Sequence, residues 1–233
     1  KTTLMRQYIK QRYGNNAGEA LYCVMDSIYF TNHSLLDLAE RFHMMGGKHL
    51  FLDEVHKYPT WSKEVKEIID LWPDMKVTFT GSSLIQILNA DADLSRRVLS
   101  YTMPGLSFRE YLGFEGVGRY EPLELGQIVM DHISLASRVC SDIKILPYFD
   151  KYRRCGFYPF YKRSPTHYLD QLLETVHKVL DVDYPGIEEV SQDTIRKAKK
   201  MLMILSSSCP QTPNMSALYR ELGTERAQGL KML

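Results

Sequence analysis

The sequence predicts an α/β fold in its first half, a parallel sheet with helices on both faces, followed by an all-helical second half. Two patterns predict this arrangement. Up to about Met103, short apolar runs alternate with amphipathic segments, the order that builds parallel sheets through crossover helices. Beyond Ser107, apolar residues recur at helical spacing, and no further strand is predicted.

The first half divides into three predicted strands and four predicted helices. The strands cover residues 20–26, 49–53 and 75–80, and the helices cover residues 2–13, 34–45, 61–72 and 82–89. The strands are continuous apolar runs, which is typical of strands buried on both faces of a sheet. Residues that end helices follow three of the helices, at Gly14, Gly46-Gly47 and Pro73.

The second half is predicted to contain only helices and loops. The helices cover residues 107–112, 123–139, 146–154, 166–180, 191–206, 215–222 and 224–233, and a loop covers residues 155–159. Ser191 is a suitable N-cap for the helix that follows it. The last three helices, with Gly223 between the final two, match a helix-turn-helix.

The composition is that of an ordinary globular protein, with 44% apolar and 24% charged residues among 233. A formal net charge of +1 excludes a global field that would draw the chain to nucleic acid or membrane. No apolar run approaches the roughly 18 residues of a membrane span, and there is no signal peptide. The cysteines form no C-x-x-C pair and the histidines have no metal-ligand spacing, so we expect a cytoplasmic protein without a zinc site or disulfides.

Two adjacent carboxylates, Asp53 and Glu54, end the second predicted strand. Acidic pairs are common on solvated surfaces, but the end of a buried strand is an unusual place for charges without a function. ATP hydrolysis needs one carboxylate that holds the Mg²⁺ shell and a second that orients and deprotonates water. We therefore predict that Asp53 acts through Mg²⁺ and that Glu54 activates water.

The opening tripeptide, Lys1-Thr2-Thr3, complements these carboxylates. In the functional interpretation, the Lys1 ammonium binds the β- and γ-phosphates of ATP, the Thr2 hydroxyl binds Mg²⁺, and Thr3 belongs to the same binding segment. The helix that begins here directs free N–H groups and its positive end toward phosphate. The tripeptide alone is common and equally fits an ordinary charged terminus; the prediction depends on its combination with the carboxylates.

A short polar segment, Thr80-Gly81-Ser82-Ser83, ends the third predicted strand. Gly81 permits a tight turn, and a hydroxyl here can reach between the γ-phosphate and the attacking water. We assign this sensor role to Ser82, with Ser83 as the alternative. Either serine also fits the N-cap of the next helix.

Arg96 and Arg97 follow the predicted helix at 82–89. A cation near the γ-phosphate stabilises charge in the transition state, and we assign Arg97 to this role, in its own subunit or a neighbouring one. A solvated surface pair of arginines is the alternative.

These motifs, taken in order, resemble the AAA-type P-loop ATPases of bacteria and archaea that often carry a C-terminal domain of unknown function. The resemblance extends from Lys1 to about Phe114. A weaker similarity, to a glycine–aromatic–proline turn in the helical lid of those proteins, lies at residues 156–160. The segments that carry the main resemblance are residues 51–58, Trp61, residues 80–83, Arg97-Val98 and residues 103–112.

The resemblance implies an AAA-type P-loop core over residues 1–114, a helical lid over 115–188 and a partial winged helix over 189–233. It implies ATP and Mg²⁺ as cofactors. It also implies that Lys1 and Thr2 belong to Walker A, Asp53 and Glu54 to Walker B, and Ser82 to sensor 1. The glycines of the phosphate loop are absent, so we expect the sequence as it stands to bind nucleotide poorly.

Three functions remain open from the sequence. The first is an ATPase that works as a nucleotide-driven conformational switch. The second is a DNA-binding regulator whose final helix reads a groove, and the third is a nucleotide-dependent scaffold without catalysis. A protein partner of the winged helix and homo-oligomerisation also remain open. The candidate DNA-contacting residues are Thr224, Glu225, Arg226, Gln228 and Lys231.

Overall fold

The computed structural model describes residues 1–81, 94, 97–185, 190–207, 212 and 214–224. The chain divides into two compact units, one over residues 1–103 and the other over residues 104–233. The sensor residue Ser82, its alternative Ser83 and the helix predicted at 82–89 lie outside the described residues.

The first unit is built around a three-stranded parallel sheet, as predicted. Its strands are β1 (Ala20–Val24), β2 (His49–Asp53) and β3 (Lys76–Phe79), in the spatial order β1-β2-β3. The register pairs Val24 with Asp53 and Leu52 with Phe79. The predicted carboxylates therefore leave the sheet from its central strand, at the edge formed by the carboxyl ends of the strands.

Three helices are described in this unit: α1 (Thr2–Tyr13), α2 (Leu35–Met44) and α3 (Trp61–Leu71). Side chains alternate between the two faces along β2. Leu50 and Leu52 pack with α2 and α3 in one apolar core. On the other face, Phe51 contacts aromatic rings of α1. The sheet thus has helices on both faces, which confirms the prediction.

Burial of the strands differs from the prediction in one respect. Only β2 is fully buried, whereas β1 is half-buried throughout and β3 alternates between exposed and half-buried residues. The expectation that all three strands are buried on both faces was wrong for β1 and β3. Each of these strands has a single neighbour in the described sheet, so each is less covered than the central strand.

Local sequence explains where the helices begin and end. The Ser34 hydroxyl accepts a hydrogen bond from the backbone of Asp37 and begins α2, which ends before Gly46 at φ 86°. The predicted helix at 2–13 and the predicted strand at 49–53 have the observed bounds. The strand predicted over 20–26 ends two residues early, at Val24.

The second unit contains no strand among its described residues, as predicted. Ser107 and Glu110 form a capping box at the start of α4 (Phe108–Glu115), and Gly116 ends that helix at φ 77°. The helices of this unit are α4 (Phe108–Glu115), α5 (Leu125–Asp142), α6 (Ile145–Lys151), α7 (Tyr168–Lys178), α8 (Gln192–Ser207) and α9 (Met215–Leu222).

Tyrosines form much of the buried core of this second unit. Tyr111, Tyr161 and Tyr168 are buried together with Leu112. The loop predicted at 155–159 begins as part of a helical turn that runs through Gly156. A Cβ at Gly156 would lie 2.5 Å from the ring of Tyr152 and 2.9 Å from that of Tyr111, so the rings leave room only for glycine.

The last two described helices, α8 and α9, correspond to the first two of the three helices predicted for the helix-turn-helix. Met201 of α8 packs against Leu218 and Leu222 of α9, and Gly223 follows α9 at φ 61°. The Ser191 hydroxyl accepts a hydrogen bond from the Thr194 backbone at 3.1 Å, as expected of an N-cap. Thr224 is described, but the remaining candidate DNA-contacting residues lie beyond the described part of the chain.

Within the described residues, every helix is too short or too polar to cross a membrane.

Candidate functional site

Thr2, at the start of α1, meets Asp53, at the end of β2. The Thr2 hydroxyl donates a hydrogen bond of 2.5 Å to Asp53 Oδ2. The Lys1 ammonium donates a hydrogen bond of 2.5 Å to the Gly81 carbonyl, just beyond β3. Two motifs that are 51 residues apart in sequence therefore lie in contact at the carboxyl edge of the sheet.

Asp53 is the centre of this site and is only 3% exposed. Besides Thr2, the Tyr22 hydroxyl donates to Oδ2 at 2.7 Å, and the Thr80 hydroxyl donates to Oδ1. Burial alone would raise the pKa of the Asp53 carboxyl. The hydrogen bonds from Thr2, Thr80 and Tyr22 outweigh it and hold the pKa below its usual value, so the carboxylate is charged at neutral pH.

Parallel strand pairing places Thr80 beside the carboxylate. The backbone ladder continues past β3, since the Thr80 N–H donates to the Leu52 carbonyl and the Val55 N–H donates to the Thr80 carbonyl, both at 2.9 Å. The residue after β3 is thereby fixed next to the last residue of β2.

Glu54 has an unusual backbone conformation, with φ 57° and ψ 44°. Among the described residues it is the only non-glycine residue with positive φ. Left-handed geometry costs a residue with a Cβ about 1 kcal/mol, and such residues cluster at functional sites. The Glu54 N–H faces the Thr80 hydroxyl at 3.4 Å, and its carbonyl accepts a hydrogen bond from the Lys57 N–H. Glu54 is half-buried and directly follows Asp53 in the sequence.

The other predicted site residues have different surroundings. Thr3 is exposed in the first turn of α1. The Arg97 guanidinium pairs with Asp70 of α3, with Nε–Oδ1 at 2.8 Å and Nη2–Oδ2 at 3.1 Å. This pairing holds the pKa of the Asp70 carboxyl below its usual value. The catalytic role assigned to Arg97 stays a prediction.

Two hydroxyls of the site, those of Tyr22 and Thr80, were not predicted to contact Asp53. Tyr22 was assigned only to an apolar run, yet its hydroxyl reaches Asp53 across the β1–β2 pairing. Burial, followed by the hydrogen bond to Asp53, raises the pKa of Tyr22 to about 12, so it stays a donor at neutral pH. A tyrosine in a short buried strand is a detectable signal, because its hydroxyl needs a polar partner.

A second polar cluster lies at the opposite end of β2, at His49. The side chain is 5% exposed, and both ring nitrogens make hydrogen bonds: Nδ1 with the Tyr13 hydroxyl at 2.9 Å and Nε2 with the Thr78 hydroxyl at 2.8 Å. Burial and the nearby Lys76 lower the pKa of His49 to about 4. The imidazole is therefore neutral at physiological pH.

Acidification is expected to destabilise the first unit through His49. Between its unfolded pKa of about 6.5 and its folded pKa of about 4, the unfolded chain binds the additional proton. The free energy of unfolding should therefore fall as the pH decreases through this window, by at most about 3 kcal/mol. Urea unfolding at pH 7.0 and 4.5, followed by fluorescence of Trp61 and Trp72, measures the change.

Two variants test the assignment of that pH dependence. His49→Gln should flatten it, because glutamine carries no titrating group. His33→Gln should leave it intact, since His33 is exposed. An equal slope in wild type and His49→Gln would contradict the assignment.

A parallel sheet between helices, with a carboxylate and a hydroxyl joined at its carboxyl edge, defines a class of α/β protein that binds ligands at this edge. Residues 1–112, just under half of the chain, match the family model AAA_14, described as an AAA domain. No curated protein and no solved structure matches the chain significantly. The first part of the chain is therefore similar to AAA domains, and this similarity suggests nucleotide binding.

Proposed function

We propose that this protein is an Mg²⁺-dependent ATPase that uses the site around Asp53. The observation that carries the proposal is the hydrogen bond of 2.5 Å between the Thr2 hydroxyl and Asp53. These are the two groups that the sequence assigns to Mg²⁺. Their contact joins the first turn of a helix to the tip of a buried strand, as binding of a metal–phosphate complex requires.

The donor set fits Mg²⁺. This ion prefers hard oxygen ligands and takes only one or two from the protein, with water and phosphate oxygens completing its shell. Thr2 and Asp53 supply such oxygens. When bound, Mg²⁺ neutralises charge on the phosphates.

Each proposed residue has a separate task in the reaction. Lys1 binds the β- and γ-phosphates, and the N–H groups in the first turn of α1, which has no side-chain cap from Lys1, face them. Glu54 orients the attacking water and accepts its proton. Ser82 contacts the γ-phosphate and that water, and Arg97 stabilises charge on the γ-phosphate after leaving Asp70, in its own or a neighbouring subunit.

ATP hydrolysis would drive a conformational switch. In P-loop ATPases, contacts to the γ-phosphate order local segments and release them after hydrolysis. Thr80 and Gly81 join β3 to the segment after it and contact Asp53 and Lys1, so they are suited to transmit such a change.

Replacement of Thr2 tests the binding half of the proposal. Thr2→Val keeps the shape and removes the hydroxyl, whereas Thr2→Ser keeps the hydroxyl. We expect Thr2→Val to weaken ATP binding at least about tenfold in Mg²⁺ and to have little effect in EDTA. Calorimetric titration of the natural chain in full, with ATP, measures both conditions.

The matched variant gives the control. Thr2→Ser should bind Mg²⁺–ATP as wild type does. If Thr2→Val also binds like wild type in Mg²⁺, the assignment of the metal site is wrong. Tight Mg²⁺–ATP binding by wild type without turnover would instead support the non-catalytic scaffold.

A further inference from the structure

Helix α1 has little apolar packing for a helix that carries part of a binding site. Of its 12 residues only Met5 is buried. Leu4 is 56% exposed and Tyr8 is 48% exposed. Since tertiary packing supplies most of the stability of helices in proteins, other contacts must fix where this helix lies.

Polar contacts attach α1 to the central strand at both of its ends. At the first turn, the Thr2 hydroxyl bonds to Asp53. At the last residue of the helix, the Tyr13 hydroxyl bonds to His49 Nδ1 at 2.9 Å. The Tyr13 ring also meets the His49 ring edge-on, with centroids 5.8 Å apart.

The two hydrogen bonds are separated by a similar distance along β2 and along α1. His49 and Asp53 lie on the same face of β2, four residues or about 13 Å apart. Thr2 and Tyr13 are eleven residues or about 16 Å apart along α1. Two hydrogen bonds at this separation fix the tilt of the helix on the sheet, which a single bond at one end cannot do.

His49 is itself held firmly. Its ring stacks on Phe51 with centroids 3.9 Å apart, and Nε2 bonds to the Thr78 hydroxyl of β3 at 2.8 Å. The His49 ring therefore connects α1 to β2 and β3. In a neutral imidazole one nitrogen donates and the other accepts, and hydroxyls can serve either role, so both bonds are satisfied at once.

We propose that His49 is a positioning residue that holds the far end of α1 through Tyr13 and thereby sets where Lys1 and Thr2 lie over Asp53. The consequence for turnover depends on the proposed function, because it assumes that Lys1 and Thr2 bind the phosphates. The effect of His49 on the position of α1 does not depend on the proposed function. A displacement of 1 Å at reacting groups lowers turnover considerably, so a tilt of α1 should be visible in kinetics.

Two pairs of variants separate positioning from general stability. Tyr13→Phe removes the bond to α1 and keeps the ring, whereas Thr78→Val removes the bond within the sheet and keeps the shape. At position 49, asparagine places its amide near the Nδ1 position and keeps the bond to Tyr13. Glutamine places its amide near the Nε2 position and keeps the bond to Thr78. Within each pair, one variant removes the bond between Nδ1 and Tyr13, and the other removes the bond between Nε2 and Thr78.

Hydrogen–deuterium exchange of α1 in the natural chain in full, without nucleotide, is the first measurement. Exchange of the amides at residues 6–10 should rise about 3- to 10-fold in Tyr13→Phe and His49→Gln, and by less than twofold in Thr78→Val and His49→Asn. Equal exchange within each pair would overturn the inference.

Steady-state ATP hydrolysis is the second measurement. The kcat of Tyr13→Phe and His49→Gln should fall about 3- to 10-fold and their KM should rise, because Lys1 and Thr2 bind Mg²⁺–ATP in the proposed function, whereas His49→Asn should keep the wild-type values. Equal kcat in Tyr13→Phe and Thr78→Val would overturn the positioning role. If wild type itself neither binds nor hydrolyses ATP, the proposed function fails, and the exchange experiment alone then decides whether His49 holds α1.

Discussion

Replacing Glu54 with glutamine should lower ATP turnover by at least about 100-fold while Mg²⁺–ATP affinity changes by less than about threefold. Glutamine has nearly the same size and keeps the hydrogen-bonding carbonyl, but it cannot accept a proton from water. Glu54 is half-buried next to Asp53, and its backbone faces Thr80, so the carboxylate extends from a fixed segment. Single-turnover hydrolysis and equilibrium binding, measured on the same preparation, separate the two effects.

Glu40→Gln is the matched control for this variant. Glu40 is exposed on α2, so the same chemical change there should leave turnover unaltered. Equal turnover of wild type and Glu54→Gln would show that another group activates the water.

Replacing Asp53 with asparagine should have two large effects at once. Turnover with Mg²⁺–ATP should fall at least about 100-fold, because the variant loses the charged metal ligand. The free energy of unfolding at pH 7 should fall by about 2 kcal/mol. In the wild type three hydroxyls donate hydrogen bonds to the carboxylate, whereas the amide of the variant turns an NH₂ group toward some of them. Urea unfolding at pH 7, followed by tryptophan fluorescence, gives the second quantity.

The pH dependence of this loss in the free energy of unfolding shows whether the carboxylate charge causes it. The folded pKa of Asp53 lies below its unfolded value of about 3.9. The carboxylate therefore stabilises the fold above about pH 4, and this contribution is lost as the pH falls through the folded pKa. The stability difference between wild type and Asp53→Asn should shrink in that range. Asp37→Asn, at an exposed position in the first turn of α2, should change stability far less than Asp53→Asn does. A constant difference between wild type and Asp53→Asn would point to packing instead of charge.

The sequence predicted the elements that carry strong local signals. Apolar periodicity and the following Gly14 were sufficient for α1, and the apolar run before Asp53-Glu54 was sufficient for β2. These are local patterns, so one chain reveals them. Burial of β1 was wrongly predicted, because whether an apolar strand is central or at an edge depends on the order of strands in the sheet.

The contacts within the site were harder to predict from the sequence than its principal residues. Lys1, Thr2 and Asp53 were selected together, and the structure brings them to one edge of the sheet. Tyr22 and Thr80 were not selected, because their contacts with the carboxylate depend on strand register, which is a tertiary property.

The contacts of His49 were not predicted from the sequence for a related reason. It was assessed only as a metal ligand, and its actual partners come from α1 and β3. A histidine at the start of an otherwise apolar strand, with a tyrosine at the last position of the first helix, is the signal that could have indicated this contact.

The left-handed backbone at Glu54 has a consequence for protein engineering. Glycine or asparagine adopts φ 57° with less strain than glutamate, so either should raise thermal stability at this position. A screen that selects only for heat resistance would therefore favour replacement of residue 54. Thermostable variants recovered in this way would lack the side chain assigned to water activation, so every improved clone needs an activity assay before further rounds.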